Sequence, residues 1–527
     1  MKRRSAIGII VSGVSGAGLL AAKFVPDYMK GLFGGQQSGK TQASAASSAP
    51  NPITLENALP GTTEWMIPAE RSATVQIQAY AGARSVAPGQ PLTFYVSTQE
   101  AGTPYAITIY RLGWYQGAGG RLVTSIKNLV GQAQGYFNEV TFELIKSPSA
   151  HTDPATHLVE ARWQPSHTLT IPADWTTGVY LAKFTDAHGM QTYTSFTVRG
   201  NPTAPYVLVT PDTTYAAYNN WGGHSLYASN SKEQVPAAKV SFDRPSTQNQ
   251  GSDQVLSYQA NAIRWFERQG YDLTYLSNID MHANGALLLR HQAYISLGHD
   301  EYWTMGMRNA VENARDQGKG LAFLEANAAY WQVRLEPNSA GVANRSVVCY
   351  KVLTAQDDLH RDPLYNVNNQ LVTTQWRDAL LGRPENAMIG VMYSNYNNNQ
   401  QGSAWHVAPQ VQTALFKGTG LAAGQQYNYG LVGHEWDKVF DNGHTPSTLK
   451  ILGSSPTVSI DGKTDLSHTT YYVAPSGSMV FATGSIFWTS ALDSYRYSIS
   501  PWKNEAQAVP EIQNLMGNVM DALITHH

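Results

Sequence analysis

The stretch Ala293-Tyr294-Ile295-Ser296-Leu297-Gly298-His299-Asp300-Glu301-Tyr302-Trp303 decides the fold. Its first five residues form an apolar run of strand length, which a glycine ends. A helical pattern follows from Thr304 to Gln317 and stops at Gly318, and Leu321-Ala322-Phe323-Leu324 is a second strand. Outward from there, Tyr206 to Thr210 and Leu273 to Leu276 read as further buried strands. Leu256 to Gln269 carries apolar residues at 256, 260, 263 and 266 and ends at Gly270, an amphipathic helix. Strand–helix–strand alternation predicts a mostly parallel sheet with helices on its faces. Beyond Arg334 the helices thin out and strands dominate again.

Upstream the rhythm changes to period two. Thr74 to Gln78, Leu92 to Val96, Ala106 to Tyr110, Thr168 to Ile171, Val179 to Phe184 and Thr192 to Val198 are short strands separated by turn residues. That spacing predicts an immunoglobulin-like β-sandwich over 61–200, ahead of an α/β domain over 201–527. Lys2, Arg3 and Arg4 precede an apolar run from Ala6 to Ala22, the pattern of a signal peptide or signal anchor over 1–24. The Gly/Gln/Ser/Ala-rich residues after it predict a flexible linker over 25–60, with Ala43-Ser44-Ala45 as a small-residue cleavage site. The expected address is outside the cytoplasm: periplasmic, or tethered to a membrane through residues 6–22.

The 527 residues are 42% hydrophobic and 11% aromatic, which supplies ample core and excludes a disordered or fibrous chain. Charged residues are 14%, the net charge is -2 and no basic stripe stands out, so a nucleic-acid partner is not expected. The single cysteine, Cys349, excludes an internal disulfide and any multi-thiolate metal site.

In an open parallel sheet, ligands bind beyond the carboxyl ends of the strands. Two such ends are polar here: Gly298-His299-Asp300-Glu301-Tyr302-Trp303, and Glu325-Ala326-Asn327-Ala328-Ala329-Tyr330-Trp331. Burying an imidazole and two carboxylates in a turn is costly without a cation or a hydrogen-bonded network. The competing structural reading has Asp300 capping the next helix and His299 holding a loop. Tyr215-Ala216-Ala217-Tyr218-Asn219-Asn220-Trp221-Gly222-Gly223 and Gly433-His434-Glu435-Trp436-Asp437 are two further clusters, each ordinary alone.

The ordered set is more specific. Tyr218 to Gly223, Phe242-Asp243-Arg244-Pro245, Trp265 to Arg268 with Gly270-Tyr271-Asp272, Asp280-Met281-His282, Gly298 to Trp303, Ala326 to Arg334, Glu435-Trp436-Asp437, and Ala482 to Ser485 with Trp488 occur in that order. Over about residues 200 to 520 the chain resembles the large (beta) subunit of the N,N-dimethylformamidase family. The resemblance implies a mononuclear Fe(III) ion held by two tyrosinates and a glutamate, hard oxygens for a hard cation. Carried over, Glu301 is the carboxylate, Tyr218 one phenolate and Tyr180 the second, with Tyr215 as fallback. His299 and Asn327 line the pocket, orienting water or donating to an oxyanion, and Glu435 is the acid/base group. The implied activity is metal-assisted hydrolysis of a C–N amide bond in a small molecule. A small-subunit partner and a homo-oligomer are both compatible with it.

Two rivals remain at this level. The α/β layout also looks like that of class I amidotransferases, but Cys349 lacks a strand-to-helix elbow and reads as a core thiol. The 13 Trp and 29 Tyr also suit a non-enzymatic module that binds carbohydrate or cell-envelope material.

Overall fold

The computed structural model describes residues 50–351, 362–398, 401–499 and 507–525. The expected export segment and tether lie outside these residues, and no described helix is long and apolar enough to cross a membrane. The flexible linker expected over 25–60 does not reach its far end. Pro52–Asn57 is a helix, capped by the Asn51 side chain on the Thr54 amide with proline in its first turn. Its Ile53 is fully buried in the core.

Period-two segments build two small sheets. One orders Ile77–Ala81, Pro91–Thr98 and His167–Thr170; the other orders Ser85–Val86, Gln191–Val198, Gly178–Asp186, Pro104–Leu112 and Gly120–Val130. Alternate side chains of both meet in one core, where Phe94 lies edge-on to Phe184 and Phe196.

The larger sheet uses β1 (Tyr206–Thr210), β2 (Leu273–Ser277), β3 (Ala293–Gly298) and β4 (Gly320–Glu325). After β5 (Glu435–Lys438), which pairs elsewhere, come β6 (Lys450–Val458), β7 (Thr464–Val473) and β8 (Met479–Ala482). Their order is β2-β1-β3-β4-β8-β7-β6; the first five are parallel, and the last two add antiparallel. Across the described residues the protein is mixed α/β, with sheet predominant and helices few.

Both faces of this sheet are apolar, as continuous hydrophobic strands require. Leu208, Ile295, Leu297, Ala322 and Leu324 face a core shared with helices α2 (Ala260–Gln269) and α4 (Pro510–Ile524). Val207, Val209, Tyr294, Leu321 and Phe323 face α3 (Met305–Asp316) through Met307, Val311 and Ala314. Each Val, Leu, Ile, Phe or Met among them, removed from water, contributes roughly 1.5–3 kcal/mol. The helix expected from Leu256 begins as a π-helical turn over Val255–Gln259 and is α-helical only from Ala260. Thr304, not Asp300, caps α3, its hydroxyl accepting from the Met307 amide.

Two arginines tie the small-sheet region to the helices and loops around the larger sheet. Arg111, on Pro104–Leu112, makes a bidentate contact with Glu267 of α2 at 2.8 and 2.9 Å, both side chains wholly buried. Arg84 bonds Asp212 and Asp253 at 2.7 and 2.6 Å. Asp212 opens the short helix α1 (Asp212–Tyr218), so this contact anchors the helix whose last residue enters the site.

Candidate active site

The site forms where β3 and β4 end side by side. Gly298 terminates β3 at a φ of +82°, and a Cβ there would lie 2.7 Å from Tyr258 Cβ, so the turn requires glycine. It sends His299, Asp300 and Glu301 over the sheet edge, all buried. Thr214 of α1 accepts the Glu301 amide at 3.0 Å, and the Glu301 carbonyl accepts the amides of Tyr330 and Trp331 at 2.9 Å each. The loop after β4 is thereby stitched to the Glu301 segment.

Three oxygens converge on one spot. Tyr218 Oη and Tyr227 Oη each lie 2.8 Å from Glu301 Oε2, and 2.8 Å from each other. The two rings stack with centroids 4.4 Å apart. Tyr302 donates to Tyr227 Oη, and Trp331 Nε1 donates to Glu301 Oε1 at 2.9 Å. The Lys351 ammonium lies 3.6 Å from the Tyr227 ring centroid and near the rings of Trp331 and Tyr302.

The acid/base side is adjacent. His299 Nε2 lies 3.4 Å from Glu301 Oε2 and 3.6 Å from Glu435 Oε2, and it is buried without a hydrogen-bond partner. Asn327 Nδ2 donates to Glu435 Oε2 at 2.7 Å. Burial opposes the charged imidazole, but Glu435 and Glu301 outweigh it and raise His299 to about 9. Burial also opposes the Glu301 charge, yet His299 holds it below the usual carboxylate range. Burial pushes the Tyr218 and Tyr227 phenols far up, and the Glu301 charge adds to this. Behind the site, burial raises Asp300 to about 7, and Asp300 adds to burial in raising Glu325, whose Oε2 accepts the Asp300 amide.

Of the six residues expected here, Tyr218, His299, Glu301, Asn327 and Glu435 come together. Tyr180 does not: it is a core residue of the small-sheet unit, stacked on Trp175 and Phe196, its hydroxyl donating to the Thr176 carbonyl. The fallback Tyr215 also points elsewhere, donating to Gln259 at 2.7 Å. Tyr227, not among the expected residues, lies beside Tyr218 and Glu301 instead, and nothing in its local sequence signals this. Tyr302 and Trp331 belong to the quoted motifs, but only the fold gives them partners. Cys349 is buried and its thiol pushed up to about 12 by burial, which leaves it inert at neutral pH. Trp65, Trp221, Trp265, Trp303, Trp376, Trp405, Trp436 and Trp488 are core side chains rather than an exposed binding face.

The donor set suits a small, hard cation. Two phenols and a carboxylate are hard oxygen donors, and hydrogen bonds of 2.8 Å gather all three at one point. Among the described residues no cluster of three or more His, Cys, Asp and Glu side chains could hold a metal, so any ion here relies on the phenols.

A carboxylate–phenol cluster at the end of parallel strands, flanked by an imidazole and a second glutamate, defines a candidate hydrolytic centre in a mixed α/β protein. Residues 106–504 match the family model "N,N-dimethylformamidase beta subunit-like, C-terminal", and the chain belongs to that family. Membership ties it to a family of hydrolase-related role. The N,N-dimethylformamidase beta subunit of Alcaligenes sp. is 23% identical over 227 residues, covering 35% of this chain and 30% of that protein. This chain thus spans less than a third of that relative's length. Solved structures resemble it only loosely. A superoxide reductase (neelaredoxin) from Ignicoccus hospitalis has a TM-score of 0.15 at 13% identity, over 27% of this chain and 94% of that one. The sporulation control protein Spo0M from Bacillus subtilis has 0.16 at 11% identity, over 25% and 51%.

Proposed function

We propose that this protein is a metal-dependent hydrolase that cleaves a C–N amide bond in a small molecule, with Fe(III) held by Tyr218, Tyr227 and Glu301. The observation that carries the reading is the triangle of three hard oxygens beside His299 and Glu435. A ferric ion held there supplies Lewis acidity toward the amide carbonyl and toward water.

The rest falls to the chain's own groups. Glu435 takes a proton from the attacking water and returns it to the departing nitrogen, which leaves poorly unprotonated. Asn327, with its Nδ2 on Glu435, keeps that carboxylate aimed rather than donating to an oxyanion itself. His299, whose Nε2 is free of other partners and whose ring favours the imidazolium form, donates to the oxygen as it gains charge. Trp331 and the Lys351 ammonium hold Glu301 and Tyr227 in place.

The finer fold reading is part of this proposal: an immunoglobulin-like sandwich ahead of an amidotransferase-like α/β domain, divided near residue 200. So are export through residues 1–24 and assembly with a second subunit or further copies. The latter is supported by the relative being a beta subunit by name.

Metal analysis and a visible spectrum of the purified chain test the reading. Near-stoichiometric iron with a tyrosinate-to-Fe(III) charge-transfer band, and amine release from an amide panel, are expected. Colourless protein that takes up no iron would overturn the metal assignment.

A further inference from the structure

The motif Glu435-Trp436-Asp437 has a second carboxylate that the proposed reaction leaves unused. Glu435 and Asp437 are two apart on β5, so both point to the same face of that strand. Both bond one residue of the loop after β4. Glu435 Oε2 accepts from the Asn327 side-chain amide at 2.7 Å, and Asp437 Oδ1 accepts from the Asn327 backbone amide at 2.8 Å. Asp437 is itself held, its own amide donating to the Gly484 carbonyl at 3.0 Å.

The loop carries two left-handed residues. Asn327, at a φ of +57°, is of a type that tolerates this conformation, whereas Ala329, at +50°, is disfavoured there and persists where the surroundings enforce it. The far side of the same loop is bonded to Asp300 and Glu301 through the amides of Ala329, Tyr330 and Trp331. The loop is therefore a bridge between the oxygen triangle and β5, and Asp437 is its attachment at the β5 end.

We propose that Asp437 is a positioning residue: it clamps the Asn327 backbone in its left-handed turn, so that the Asn327 side chain and the Glu435 carboxylate keep a single alignment toward Glu301. The inference rests on the hydrolase reading for its kinetic consequence, but not for its structural one. Asp437 bonds the Asn327 amide and not the oxygen triangle, so its loss acts on turnover and not on metal retention.

The test compares Asp437→Ala, Asp437→Asn, Asn327→Gly and the double variant Asp437→Ala/Asn327→Gly in the full chain. Asp437→Ala is expected to lower kcat about tenfold or more with little change in KM, as misalignment of an acid/base group does. Iron content and the visible band stay at wild-type values. Asp437→Asn keeps a carbonyl-type acceptor for the amide and recovers most of the loss. Asn327→Gly keeps the turn and removes the side chain, so the double variant is no worse than the worse single one. Additive losses, or no rescue by asparagine in a folded variant, would overturn the clamp.

Hydrogen exchange over residues 326–330 gives a readout that needs no substrate. Faster exchange in Asp437→Ala, with wild-type exchange in Asp437→Asn, supports the clamp even if no amide is turned over, a result that would sink only the hydrolase reading. Unchanged exchange in Asp437→Ala overturns the clamp whatever the activity.

Discussion

Two buried networks of tyrosine and carboxylate lie in this molecule and behave as opposites. At the junction of the small and larger sheets, Glu267 meets the Arg111 guanidinium through two hydrogen bonds and also accepts from Tyr275 and Asn57. Arg111 in turn donates to Thr177, Leu112 and Tyr115. Every charge there has its partner. At the ends of β3 and β4, Glu301 and Glu435 flank an imidazole that bonds neither, and two phenols crowd one carboxylate oxygen. A network that satisfies itself holds the fold together. One that leaves polar atoms open at a strand end is where a bound group would gain most, which is why the proposed chemistry is put there.

The sharpest way to break this contrast is at Glu301 and Glu435. Glu301→Ala should bring bound iron to background in elemental analysis. Glu435→Gln should keep the iron and lose turnover by roughly 10²–10⁴-fold, the usual contribution of a positioned acid/base group. Equal iron in wild type and Glu301→Ala would place any ion elsewhere.

Arg111→Met attacks the other network. It strands a buried Glu267 charge and should cost about 3–5 kcal/mol in denaturant unfolding. Iron per folded molecule should not change. A variant that instead lost iron while keeping stability would erase the distinction between the two regions.

Tyrosine separates them more finely. Tyr180→Phe removes one hydroxyl bonded to a backbone carbonyl and should cost about 1 kcal/mol, with an unaltered visible spectrum. Tyr227→Phe should weaken iron retention and shift the charge-transfer band. The reverse pattern would return the second ligand to Tyr180.

The two regions also differ in pH dependence. Burial raises Asp437 to about 7, against about 3.9 in an unfolded chain. Folded protein therefore binds this proton more tightly. Its contribution is full below about pH 4 and is lost as pH climbs through 7. Asp437→Asn does not titrate and should flatten the stability profile between about pH 4 and pH 7; a slope identical to wild type there would contradict the assignment.

Much of this was legible beforehand. Apolar runs at 206–210, 273–276, 293–297 and 321–324, each stopped by a polar or glycine signal, marked the strands, because a doubly covered strand must be hydrophobic throughout. His299, Glu301 and Asn327 were readable as a polar group past the ends of two neighbouring strands, because the apolar runs stop just before them and ligands bind beyond such ends. Tyr227 was not. It lies in a loop whose path is set by contacts such as Ser231 with Ser225 and Arg244 with the carbonyls of Trp221 and His224, none of which local pattern reveals. Nor was Tyr180 separable from it, since a tyrosine buried in a sheet core and one bonded to a buried carboxylate look alike in sequence.

By itself, then, the sequence determined which segments become strands and helices, which strand ends are polar, and to which family the chain belongs, because periodicity and ordered motifs are properties of the chain. Only the tertiary structure decided which tyrosines share a carboxylate, which asparagine faces Glu435, and that Asp437 holds it there. Those are distances between residues 74 to 110 positions apart in the chain, set by how the sheets and loops pack and not by any local preference.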